Sequence, residues 1–128
     1  MTKHFTILIA FLMVIGSQVS AKYYELGAVF YCNEEVSAFV NVVNDWKLKQ
    51  TRPAQFRFTL VKQADGSAIV KFGSSCYFKD TQMTVKRRDW KLEAADSYSM
   101  FVLADGRFTY GGANYFNAFF RTGTCDKF

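Results

Sequence analysis

Two stretches of this chain follow one plan, and that plan is the strongest constraint on its fold. Phe56-Arg57-Phe58-Thr59-Leu60-Val61-Lys62-Gln63 runs into Ala64-Asp65-Gly66 and returns through Ser67-Ala68-Ile69-Val70-Lys71-Phe72. Tyr98-Ser99-Met100-Phe101-Val102-Leu103 runs into Ala104-Asp105-Gly106 and returns through Arg107-Phe108-Thr109-Tyr110. Asp-Gly flanked by β-branched and aromatic residues signals a hairpin, because the tight turn needs left-handed backbone that glycine adopts without steric cost. In the first unit a two-residue Asp65-Gly66 loop would set Leu60 against Lys71 and Phe58 against Gly73. A three-residue loop with Gly66 left-handed sets Leu60 against Val70 and Phe58 against Phe72, leaving Thr59 opposite Lys71 on the wet face. Side chains alternate with period two, so only the second register gives one clean apolar face. The second unit is apolar on both faces and does not decide its own register.

The remaining elements follow by the same patterning. Residues 26–32, 75–78, 82–85 and 115–122 read as strands, with a short strand at 46–49 where Trp46 and Leu48 alternate with Lys47 and Lys49. Residues 36–43 carry four valines, which favour a strand, but Val36, Phe39, Val40 and Val43 fall at helical spacing behind Glu34 and Glu35. A short helix is the expectation there, with a further helical turn at 90–95. The whole reads as mainly β: one antiparallel sandwich or small barrel of about seven to eight short strands.

Residues 1–21 have the form of an export signal: Lys3 and His4, an apolar run from 5 to 15, then Gly16 and a polar stretch. Val19 and Ala21 occupy the two positions where the signal peptidase needs small side chains. The apolar run is well short of the ~20 residues that span a bilayer. Cleavage after Ala21 would leave 107 of the 128 residues as a single domain at 22–128, its charge lowered from +5 to +4 by the loss of Lys3. The one histidine leaves with the signal, and most of the 23 aromatics stay. An exported domain of this size commonly adds a disulfide to a modest core. Of the three cysteines, Cys32 in the first strand and Cys125 near the C-terminus are the expected pair, with Cys32–Cys76 the alternative. Cys76 would then be a buried structural thiol.

Short pieces of the mature chain carry a resemblance: F-Y-C at 30–32, F-R-F at 56–58, K-F-G at 71–73, G-R-F-T-Y at 106–110 and T-C-D-K-F at 124–128. In their spacing the chain resembles small exported bacterial proteins of no assigned function, and no residue role follows from that. The layout is also similar to small periplasmic β-barrel inhibitors of lysozyme, although a +4 chain would meet a basic enzyme with like charge.

Without histidine, a Ser-His-Asp triad, a Cys-His pair and His-based zinc sites are excluded from the mature chain. The chain also lacks a phosphate loop, a calcium loop and C-x-x-C. No cofactor and no metal are expected. A carboxylate-only hydrolase would have to draw on Glu25, Glu34, Glu35 and Glu93, and the adjacent Glu34 and Glu35 would point apart. A carrier with a hollow interior is disfavoured, because so many aromatics fill a small barrel. Two features remain as candidate binding sites. Lys86, Arg87, Arg88 and Lys91 surround Trp90, a composition suited to an anionic lipid, an acidic glycan or an acidic protein surface, and nucleic acid is not expected. Tyr115, Phe116, Phe119 and Phe120 form an aromatic segment whose second face would need a cover, as an interaction patch of a monomer or a weak homodimer. The sequence therefore points to an exported, non-catalytic binding domain. The alternative is a structural or protein-interaction component of the cell envelope.

Overall fold

Inward-facing phenylalanines organise the molecule, which is described from a computed structural model covering residues 23–73 and 81–128. The expected strand at 75–78, Cys76 and the expected export signal at 1–21 lie outside those residues. Among the described residues there are nine strands: β1 (Val29–Asn41), β2 (Lys49–Gln50), β3 (Gln55–Lys62), β4 (Ala68–Phe72), β5 (Gln82–Arg88), β6 (Leu92–Ala95), β7 (Ser99–Ala104), β8 (Arg107–Ala113) and β9 (Asn117–Lys127). Leaving out β2, each pairs antiparallel with the next, and β9 pairs back onto β1, closing an eight-stranded barrel. The short β2 flanks the upper part of β1, Ala38 opposite Gln50 and Phe39 opposite Lys49.

The hairpin at 56–72 forms in the expected register. Leu60 faces Val70, Phe58 faces Phe72, and Thr59 faces Lys71. The Gln63 N–H donates to the Ser67 carbonyl (2.8 Å), and Gly66 takes φ 88°. That is a three-residue loop closed by a glycine bulge. The second hairpin closes with two residues, since Ala104 pairs Arg107 around Asp105 and Gly106.

Three expectations are corrected. Residues 36–43 form no helix: 36–41 continue β1 and the chain then turns. Pairing to β9 along its whole length supplies the backbone partners that the helical spacing would have supplied internally, and the valines suit that pleated wall. Residues 92–95 are β6 rather than a helical turn, held between β5 and β7. At 46–49 only Lys49 is in a strand; Trp46 is in a turn, and Lys47 and Leu48 are irregular.

Phe30, Phe58, Phe72, Phe101 and Phe108 are fully buried, with Phe56 close to it. Their rings meet edge-on or stacked, Phe30 on Phe58 at 4.9 Å and Phe58 on Phe101 at 5.2 Å. Burying each such ring contributes about 1.5–3 kcal/mol. Arg57, Lys71 and Lys86 lie exposed on the outer wall. Cys32 and Cys125 sit directly opposite each other on β1 and β9, joined by a disulfide at the closing seam.

Candidate functional site

The two ends of the barrel differ. At the lower end Tyr23 and Tyr24 fold beneath Phe30 and close it. The Tyr24 hydroxyl donates to the Leu103 carbonyl (3.2 Å), and the Arg88 guanidinium donates to the Tyr24 carbonyl (2.9 Å). Burial, with smaller contributions from Tyr23 and Asp105, pushes the Tyr24 phenol from 10.0 up to about 12.

At the upper end the barrel opens into a cleft of about 390 Å³, lined by Ser37, Phe39, Thr51, Tyr110, Phe119 and Arg121 among others. Its layers can be read down the β1–β9 seam, where Asn41 faces Asn117, Phe39 faces Phe119, Ser37 faces Arg121 and Glu34 faces Gly123. An amide rim, an aromatic ring and a polar floor therefore lie above the disulfide. Tyr110 packs on Phe119 with ring centres 4.9 Å apart; burial raises its phenol, and a hydrogen bond with Ser99 partly offsets this. The Ser37 and Thr51 hydroxyls are bonded at 2.6 Å.

A bulge lies directly above the floor. Between Glu34 and Val36 the β1 register shifts, with Glu35 the extra residue. Glu34 is turned inward and buried, while Glu35 faces solvent beside Arg107. One Glu34 oxygen accepts from the Arg121 guanidinium (3.1 Å) and the other from the Ala54 N–H (2.8 Å). A carboxylate this deeply buried needs both partners to offset its lost hydration. Gly123 makes the geometry possible, since a Cβ there would run into the Asn33 carbonyl oxygen. Sequence reasoning missed Glu34 and Arg121 as a pair. Alternation from Phe30 and Cys32 already aims Glu34 inward, which is the signal the residue pattern offered; the bulge after it turns Ser37 rather than Val36 to the same face.

The basic stretch lies at the opposite, lower end. A second bulge between Val85 and Arg87 makes Lys86 the extra residue and leaves Arg88 opposite the buried Leu92, reaching the plug. Arg87 pairs with Asp89 (2.7 Å) and Lys91 with Glu93 (2.5 Å). Both cations also lie over the Trp90 ring, at 5.3 and 4.9 Å. The four aromatics of the other candidate segment are split up. Tyr115 and Phe116 are exposed in the β8–β9 turn, Phe119 lines the cleft, and Phe120 faces outward. Because β9 is bonded to β8 on one side and β1 on the other, residues 117–127 present no free edge to a second chain. No protein-family model, curated protein or solved structure matches the chain.

Proposed function

We propose that this chain is an exported, non-catalytic binding domain whose ligand enters the cleft at the open end of the barrel. The composition of residues 1–21 supports export. The observation that carries the binding reading is the layered cleft: aromatic walls from Phe39, Tyr110 and Phe119 beneath an amide rim from Asn41 and Asn117. Its volume falls within the range of small-molecule sites. Glu34 and Arg121 neutralise each other at the floor, so the cleft suits a small amphipathic molecule, its apolar body against the rings and its polar end at the rim. Glu34 has both oxygens engaged and is a supporting group rather than an acid–base catalyst. The stretch at 86–91 is the weaker candidate for an acidic ligand, because Arg87, Arg88 and Lys91 already hold Asp89, the Tyr24 carbonyl and Glu93.

Titration with eight-carbon amphiphiles bearing carboxylate, amide or choline heads tests the reading by calorimetry. Saturable one-to-one binding to at least one head is expected, and Asn117→Trp, which fills the mouth from an exposed position, should abolish it without lowering the melting temperature. Binding unaffected by Asn117→Trp, or no saturable binding to any of the three, contradicts the reading.

A further inference from the structure

Around the cleft the upper end bears a crown of apolar side chains. The strands run alternately up and down, so the loop at 42–48, the turn at 96–98 and the turn at 114–116 all emerge at this end. They are tied together: the Val42 N–H donates to the Phe116 carbonyl (3.0 Å), and the Ala113 N–H to the Tyr98 carbonyl (3.0 Å). Val43, Trp46 and Leu48 on the first, Tyr98 on the second, and Tyr115 and Phe116 on the third are all exposed, Tyr115 at 94% and Val43 at 87%. Apolar side chains this exposed, carried on three loops at one end, are free to enter an apolar medium.

Three further observations narrow the partner. Trp, Tyr and Phe are the residues that settle at the boundary between headgroups and acyl chains. Lys47, Lys49 and Arg52 are exposed directly alongside, with Asp45 the one acid in the 42–52 segment. Cations flanking interfacial aromatics are complementary to anionic headgroups. Trp46 itself takes φ 57° at the third position of the turn Asn44-Asp45-Trp46-Lys47, closed by the Lys47 N–H on the Asn44 carbonyl (3.1 Å). Glycine is at home there, and a bulky indole is held at the tip against backbone preference. The wall below has phenylalanines inside and Arg57, Lys71 and Lys86 outside, the reverse of a membrane-spanning barrel.

We propose that the open end docks on an anionic lipid bilayer, the three tips entering the interface and Lys47, Lys49 and Arg52 lying at headgroup level. This docking rests on the crown and holds whether or not the cleft takes an amphiphile.

The two tryptophans sit at opposite ends and make the test internally controlled. Trp90→Phe leaves Trp46 as the sole indole, and Trp46→Phe leaves Trp90. Each folded, disulfide-bonded protein is mixed with vesicles of phosphatidylcholine alone or with phosphatidylglycerol, containing brominated acyl chains. The Trp46 emission should shift to the blue and be quenched on the anionic vesicles, while Trp90 does neither. Reversing two cations together, Lys47→Glu with Lys49→Glu, should weaken partitioning at least about twenty-fold, from about five-fold per cation. A response from Trp90 in place of Trp46, no partitioning onto anionic vesicles, or partitioning indifferent to the charge reversal would overturn the proposal. Capture of an acidic protein by the crown without vesicle binding would overturn it too.

Discussion

Among single residues, the deepest dependence is on Glu34. Replacing it with Ala removes the buried carboxylate that the Arg121 guanidinium and the Ala54 N–H both donate to, and should cost about 3 kcal/mol in urea unfolding. Glu35→Ala, one residue away but on the solvent side, should change stability by less than ~1 kcal/mol. Joint replacement of Cys32 and Cys125 by Ala releases a loop spanning 93 residues, and the chain-entropy account puts that loss at about 4–5 kcal/mol. Tyr24 gives a pH signature. Its folded phenol ionises near 12 against 10.0 ordinarily, so folding favours the neutral ring. The stabilisation is full below pH 10 and is lost as pH rises through about 12. Thermal melts between pH 9 and 12 should fall more steeply for the native chain than for Tyr24→Phe, and parallel curves would contradict that. Cys32–Cys125 was legible in the sequence because its two positions bracket the β-rich chain. Alternation alone sets Glu34 and Arg121 on the inner face, but that they meet was not legible, because the partners lie 87 residues apart and are brought together by the closure of β9 onto β1.

Bulges and turns also decide what could be read at the level of elements. The hairpin at 56–72 declared its register because Phe58, Leu60, Val70 and Phe72 all need one face, and only a bulged loop grants it. Residues 36–43 misled for a related reason: beyond the bulge Ser37 and Phe39 turn inward and Val36 and Val40 outward, and a two-sided strand mimics helical spacing. At 86–91 the composition announced a cationic patch, but the bulge at Lys86 sends Arg88 to the plug and the neighbouring acids take Arg87 and Lys91. The turn at 44–47 offers a separable test. Trp46→Gly relieves the left-handed backbone at the expense of a half-exposed indole, so stability should stay within about 1 kcal/mol of the native chain. Vesicle partitioning should fall sharply in the same variant. A protein that unfolded would show Trp46 to be a core residue instead.

Viewed as a whole, the barrel divides its labour between its ends. Tyr23, Tyr24 and Arg88 close the lower one, phenylalanines fill the middle, and the cleft and crown share the upper one. The spacing of strands and turns made a small sandwich or barrel legible, and the density of aromatics a filled interior. Which end stays open was not, since that depends on how strand direction sorts the loops, and closure of β9 onto β1 sets that sorting. The most direct measurement is a residue-by-residue map of amide resonances in isotope-labelled protein, with and without anionic bicelles. Among the described residues, perturbations confined to 37–52, 96–100 and 110–121, with 63–67, 86–91 and 104–107 unmoved, are the result this account predicts. Perturbations centred on 86–91, or spread evenly over both ends, would contradict it.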